Sequence, residues 1–338
     1  MERRAPRAAP MCDELFLAFL AQHDDDAWLR ALDRIAAAIH PVDRIATRIW
    51  FHFHPLRLSR ALAASPDPET LARRLLLQGE WRLPAQIDTS HAFLYGHRYW
   101  SAVKVAVLDF ASRGAAPGSL DLGALIHELG RTVARATGTT EDVVLGICAI
   151  GLRTLEQVGP EAFAASPGTV AVPPAWERLS PREVLTRRAR DDWQGVFGFL
   201  KGDRKRWTVV YDERDPAARF TLTNSQEITS GAALDTRDHR TRDPRCSEGP
   251  IPVHCRSCSC GTCWVGVIGG AEKLSPVEDR ERDKLRNCGY SDSDDSHPVI
   301  RLACQAEAFG AVSIVIPPWN GQLWRLSLVE QDDPARKR

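Results

Sequence analysis

The sequence predicts a chain in two parts of different class, an α-helical bundle followed by a smaller α+β domain, and three observations carry that expectation. The 338 residues are more than twice the roughly 150 of one ordinary domain. Apolar residues recur at helical spacing in the first half and collect in β-type runs from Trp207 onward. Seven of the nine cysteines fall between positions 246 and 304, so the second part carries chemistry that the first lacks. A content of 43% apolar and 26% charged residues excludes disorder and fibre, and 44 basic against 44 acidic residues leave no net charge. Without a global basic field no nucleic-acid partner is expected.

The first helix is expected over Asp13 to Gln22, because Asp13 and Glu14 interrupt what would otherwise be the charged-to-apolar transition of a signal sequence. Ala27 to Ile39, Glu69 to Gln78 and Ser90 to Ser112 also suit helices. Leu122, Leu125, Ile126, Leu129 and Val133 form one apolar stripe on a helix from Asp121 to Ala136. Thr139 or Thr140 then caps a second helix, with Glu141 and Asp142 at the positive end of its dipole, that runs to Val158 and stops at Gly159-Pro160. Residues 11–165 therefore read as a helical domain. Val143 to Leu152 is about half the length of a membrane span, so no span is expected. A cytoplasmic location follows, where thiols stay reduced and clustered cysteines hold metal.

The histidines of this half are read as packing or surface residues rather than haem or metal ligands. His52-Phe53-His54 would set both rings on one side of a strand, His91 and His97 flank an aromatic-rich segment, and His127 lies off the apolar stripe and faces solvent. No C-x-x-C-H occurs, which excludes covalent c-type haem.

Residues 166–204 open on the Pro/Gly-rich stretch Ser166 to Pro174 and read as a linker, and 205–330 as the second domain. Trp207 to Tyr211 and Arg219 to Thr223 predict a hairpin around Asp215-Pro216. Cys263 to Ile268 and Val312 to Ile316 supply two more strands, and Ser275 to Asn287 a short charged helix.

Within that domain Cys255, Cys260 and Cys263 stand at C-x4-C-x2-C, and Cys304 offers a distant fourth thiolate. This is the plant-type [2Fe–2S] spacing. Two bridged irons need two thiolates each, and the small residues Ser257, Ser259, Gly261 and Thr262 let backbone N–H groups approach the cluster. Zinc held by Cys255-x2-Cys258 and Cys260-x2-Cys263 is the competing reading, but its two pairs would be separated by a single residue. Cys258 is either a substitute ligand or a bystander, and is read as a bystander; Cys246 and Cys288 read as free loop thiols.

Ile251-Pro252-Val253-His254-Cys255, Cys260-Gly261-Thr262-Cys263 and Arg301-Leu302-Ala303-Cys304-Gln305, in that order, resemble the [2Fe–2S] ferredoxin family of plant and adrenodoxin type. The resemblance covers little more than a third of the chain. It implies a β-grasp, ferredoxin-like domain and a [2Fe–2S] cluster held by Cys255, Cys260, Cys263 and Cys304, the first two on one iron and the last two on the other. Three features depart from the family pattern: an insertion from Asp238 to Gly249, a forty-residue interval between Cys263 and Cys304 in which Asn287 to His297 reads as added loop, and Cys258 inside the ligand loop.

A cluster with four thiolate ligands has no open coordination site, so the expected function is one-electron transfer without catalysis of its own. No G-x-G-x-x-G after a strand and no P-loop supplies a nucleotide-dependent reductase module in the same chain. The expected partners are redox proteins, a reductase or a terminal oxidoreductase. The stretch Glu272 to Asp295, with eight acidic residues including Glu281, is a candidate docking face, its bland alternative being a solvated surface. The helical domain would select a partner or oligomerise. The alternatives are a cluster-based redox sensor and the electron-transfer subunit of a larger oxidoreductase.

Overall fold

The computed structural model describes residues 14–113, 121–195, 204–290 and 294–331. Asp13 of the first expected helix, 196–203 of the expected linker and 291–293 of the acidic stretch lie outside the described residues. In chain order the first half holds α1 (Glu14–Ala21), α2 (Asp25–Ile35), α3 (Pro41–Phe53), α4 (Leu56–Ala64), α5 (Pro68–Arg74), β1 (Gln78–Gly79), α6 (Trp100–Ser112), α7 (Leu122–Thr137) and α8 (Glu141–Ala165). The second half holds α9 (Pro174–Glu177), α10 (Pro181–Arg187), β2 (Arg206–Val210), β3 (Arg219–Thr223), β4 (Gln226–Glu227), α11 (Ile228–Ala232) and β5 (Trp264–Gly269). After these come α12 (Asp279–Cys288), β6 (Ile300–Leu302), β7 (Glu307–Ala308), β8 (Val312–Val315), β9 (Trp319–Asn320) and α13 (Arg325–Gln331). The chain divides into two compact units: unit 1 takes 1–47 and 82–172, unit 2 takes 48–81 and 173–338.

Unit 1 is helical. Asp121 accepts the Ala124 N–H as the cap of α7, whose stripe of Leu122, Leu125, Ile126, Leu129 and Val133 is buried, and Gly138 ends the helix in the left-handed conformation. Thr140 is the N-cap residue of α8. Gly159, at φ 78° and ψ 164°, breaks that helix before Pro160, so the expected stop is a kink between two helical segments rather than an end. Every residue from Val143 to Leu155 is buried, which makes α8 the central rod of the unit. It is long and apolar enough to cross a membrane by length and composition, and 72% of its most apolar window is buried inside the protein.

Two helix expectations in this unit shift. Ala27 to Ile39 ends its α-helix at Ile35 and tightens into a 3-10 turn over Ala36–Ala38. Ser90 to Tyr99 is turns and 3-10 helix, because Asp43, fully buried in the first turn of α3, captures the N–H groups of Tyr95 (2.7 Å) and Gly96 (2.6 Å) that a helix would have used.

Unit 2 is α+β. Its five-stranded mixed sheet has the order β3-β2-β8-β5-β6. Counted along the chain, that is second, first, fifth, third, fourth, with β2 antiparallel to β3 and parallel to β8, and β5 antiparallel to both β8 and β6. The expected strands fall within a residue or two of those observed. The expected linker does not hold: within 166–204 lie α9 and α10, and the Ala189 N–H donates to the Ser313 hydroxyl of β8 at 3.0 Å. The stretch 48–81, expected in the helical domain, belongs to unit 2. There Leu76, at φ 54°, turns the chain out of α5, so Gln78 is a strand residue paired with Asn320 of β9 instead of a helix end. His52 and His54 sit at the end of α3 and just past it, not on a strand. Both helix and strand periodicity fit so short an apolar-polar alternation, and the helix already running from Pro41 decides it.

Asp43→Ala leaves the Tyr95 and Gly96 N–H groups buried without that acceptor and is expected to destabilise the protein by about 3 kcal/mol, read as a lowered thermal midpoint by helical circular dichroism.

Candidate functional site

The four predicted ligands come from two places joined by strand pairing. Cys255, Cys260 and Cys263 occupy the loop that leads into β5, and Cys304 follows β6. Because β5 and β6 pair antiparallel, Trp264 faces Leu302 and the Ala303 N–H donates to the Cys263 carbonyl at 3.0 Å, which brings Cys304 beside Cys263 across the forty-residue interval. Cys263 and Cys304 are buried, whereas Cys255 and Cys260 are half-buried.

The loop turns its backbone N–H groups toward the sulfurs. Ser257 N–H and Cys260 N–H point at Cys255 Sγ (3.5 and 3.4 Å), Thr262 N–H at Cys260 Sγ (3.4 Å), and the Gln305 side-chain amide at Cys304 Sγ (3.5 Å). That inward aim is reached through left-handed residues: Arg256 at φ 52°, Cys258 at 59° and Gly261 at 77°. Alternating hands in a short loop make a concave nest of N–H dipoles, a recurrent receptor for anions and iron–sulfur centres. At Gly261 a Cβ would come within 2.6 Å of Cys288 Sγ, so both the backbone conformation and the space require glycine.

Local electrostatics separate the thiols. Burial opposes ionisation of Cys255, but hydrogen bonds from the Ser259 hydroxyl and from Ser257 and Cys260 outweigh it and bring the thiol down to about 5. The Cys263 S–H, held protonated by that bond and by burial, donates to Cys304 and lowers Cys304 to about 7. Cys258 is different: burial first, then the neighbouring Cys304, push it up to about 11, and its S–H donates to the Arg280 carbonyl at 3.5 Å. Its N–H, by contrast, serves Cys304. Among the described residues no group of three or more His, Cys, Asp and Glu side chains is gathered as a single metal ion would need.

Helix α12 backs the loop, and one buried ion pair fixes it. Arg301, fully buried on β6, makes two parallel bonds to Glu281 (2.9 and 2.8 Å) and a third to the Ser275 carbonyl (2.6 Å), while Glu281 also accepts the Leu302 N–H at 2.7 Å. One residue before Glu281, the Arg280 guanidinium donates to the Ser257 carbonyl at 2.8 Å, completing the tie from α12 to the ligand loop. Glu281 therefore does not belong to an acidic docking face. Its buried role was readable: Glu281, Leu285 and Cys288 repeat at i, i+4, i+7 and all three are buried. Along α12 the other acidic residues, Asp279 and Asp283, alternate with basic ones, and Asp294 pairs with Arg286 at 2.6 Å.

Cys288 is a buried helix residue, not a loop thiol, and burial raises it to about 11. Cys246 is buried too, raised to about 12, with its S–H on the Pro250 carbonyl at 3.2 Å. The stretch read as added loop begins with core: Tyr290 is fully buried, stacks on Trp264 at 4.3 Å between centroids, and exchanges hydrogen bonds with Gly321 (2.7 and 2.8 Å). The insertion before the ligands is likewise integrated, since Arg245 reaches Asn320 Oδ1 (3.1 Å) and the Pro317 carbonyl (2.7 Å).

Of the histidines in unit 1, His91 and His97 are buried with their Nδ1 atoms 2.9 Å apart, and His91 packs on Trp100 at 4.0 Å. His127 is not simply solvent-facing: it is half-buried and hydrogen-bonds Glu141 at 2.6 Å.

Two outcomes follow from this geometry. In reduced, chelator-treated protein, iodoacetamide at pH 7 is expected to label Cys255 well ahead of Cys258, Cys246 and Cys288, because the thiolate is the nucleophile and only Cys255 combines exposure with a lowered value; peptide mapping reads the order, and labelling of Cys255 should fall as the pH drops through about 5. Glu281→Ala, which leaves Arg301 buried and unpaired, is expected to cost about 3–5 kcal/mol, measured by denaturant unfolding. Compared with known proteins, the chain matches no family model, no curated sequence and no solved structure.

Proposed function

We propose that unit 2 is a [2Fe–2S] electron-transfer module whose cluster is held by Cys255, Cys260, Cys263 and Cys304. The observation that carries this reading is the cradle of N–H groups around three of those sulfurs, because a negatively charged cluster with thiolate ligands is what such a cradle stabilises. The placement supports it as well: Cys255 and Cys260 lie half-buried in the ligand loop, and Cys263 bonds Cys304 on the buried side, four thiols for two irons. A zinc held by Cys255-x2-Cys258 and Cys260-x2-Cys263 would instead need the Cys258 thiol turned to the metal, whereas its S–H donates to the Arg280 carbonyl.

The strand order second, first, fifth, third, fourth, with its parallel central pair, supports a β-grasp architecture. When bound, the cluster supplies one-electron transfer. The chain's own residues do the rest. The loop N–H dipoles stabilise negative charge on the sulfurs, buried Cys263 and Cys304 keep water from one side, and half-buried Cys255 and Cys260 leave the other side within reach of a docking redox protein, a reductase or terminal oxidoreductase. The rim there is of mixed charge, with Arg256 paired to Glu248 and Arg280 bound to the loop, so docking would rest on local complementarity rather than on one acidic face. The helical unit would choose the partner or join copies of the chain.

Anaerobically purified protein is expected to contain two irons and two acid-labile sulfides per chain. Ser at Cys255, Cys260, Cys263 or Cys304 should each deplete both, whereas Cys258→Ser should retain them; one zinc and no sulfide, or loss of iron in Cys258→Ser, would contradict the reading.

A further inference from the structure

The connector between the two halves of the sequence, read from sequence as a linker, walls a cavity of about 520 Å³ inside unit 2, a volume in the ordinary range of small-molecule sites. Three stretches enclose it: residues 175–193, the β2–β3 hairpin, and the start of β8. The wall is fixed in place, because Ala189 is tied to Ser313 and Asp191 accepts the Ala311 N–H at 2.8 Å.

Five arginines and three carboxylates line this cavity. Two of the arginines are already neutralised: Arg188 lies in a two-bond pair with Glu213 (2.8 and 2.9 Å), and Arg214 holds Asp212 (3.1 and 3.2 Å). Two of the carboxylates are likewise engaged, Asp191 by Lys273 at 2.8 Å and Asp192 by the Thr208 hydroxyl at 2.6 Å. That leaves Arg187, Arg190 and Arg219, exposed guanidiniums without a carboxylate within 4 Å among the described residues. Beside them stand two indoles, Trp176 buried in the wall and Trp193 82% exposed at the rim.

We propose that this cavity binds a mononucleotide: a planar ring system joined to a phosphate monoester. A phosphate monoester presents up to two charges and three terminal oxygens, which three guanidinium forks can share, whereas a carboxylate offers two oxygens and one charge. The Trp193 indole, 82% exposed at the rim, presents a flat apolar face on which a planar ring can stack. The proposal is independent of the cluster, because the cavity is formed by other residues than the ligand loop.

Equilibrium dialysis of the intact protein against flavin mononucleotide, adenosine monophosphate, riboflavin and adenosine tests it. The expected result is saturable binding of at least one of the two phosphates at one per chain, at least tenfold tighter than riboflavin or adenosine respectively, and weakened tenfold or more in the Arg187→Ala/Arg190→Ala/Arg219→Ala protein. Those side chains are exposed, so the variant should keep the wild-type circular dichroism and metal content, and Trp193→Ala should weaken binding without altering either. Absence of saturable binding by both phosphates below millimolar concentration, equal binding of the ligands lacking phosphate, or undiminished binding by the triple variant would overturn the proposal.

Discussion

A carboxylate and a guanidinium with no access to water, Glu281 of α12 and Arg301 of β6, hold together everything that the cysteine site needs. Taking two such ions out of water costs several kcal/mol each, and the cost is offset only when the geometry is close to ideal and the spare donors and acceptors are used. Both conditions are met: the fork is bidentate, Arg301 spends a further N–H on Ser275, and Glu281 takes the Leu302 N–H. Because the pair cannot slip without exposing a buried charge, the register of α12 against β6 is set. Cys304, two residues beyond Leu302, and Arg280, one before Glu281, are set with it.

From that anchor the site is assembled by short range. Arg280 holds the loop through Ser257, the left-handed residues Arg256, Cys258 and Gly261 turn the N–H groups inward, and Cys288 of the same helix fills the space that forces Gly261 to be glycine. Strained left-handed positions at non-glycine residues cost about 1 kcal/mol or more each and persist where surrounding structure over-determines them. The concentration of two of them within three residues of one loop is the strain that a binding loop stores, and it is independent of the cysteine spacing. The aromatic group of Trp264, Tyr290 and Trp319 packs behind the loop and stiffens the start of β5, from which Cys263 projects.

Legibility followed the range of the interactions. The apolar stripe of α7, the start of α8 after Thr140, the hairpin of β2 and β3, and the break at Gly159 depend on neighbours within a few residues, and all were visible in order along the chain. The helix read over Ser90 to Ser112 lost its first part because Asp43, about fifty residues earlier, competes for the Tyr95 and Gly96 N–H groups, and only Trp100 to Ser112 is helical. The linker failed for the same kind of reason: proline and glycine mark where helices cannot continue, but whether the intervening α9 and α10 pack against a sheet is decided by Ser313 and Ala311, more than a hundred residues later.

What the sequence by itself determined is the chemistry on offer: three thiols at C-x4-C-x2-C with a distant fourth, a neutral chain, a helical half and a mixed half, since residue type and local spacing need no fold to be read. Tertiary structure alone decided how that chemistry is arranged. It moved Glu281 from a supposed docking face into the core, turned Cys258 toward the Arg280 carbonyl, and converted a supposed linker into the wall of an arginine-lined cavity. The physical reason is that burial and pairing of a charge depend on what lies across the sheet, and a charged residue looks the same in sequence whether its partner is water or a buried ion.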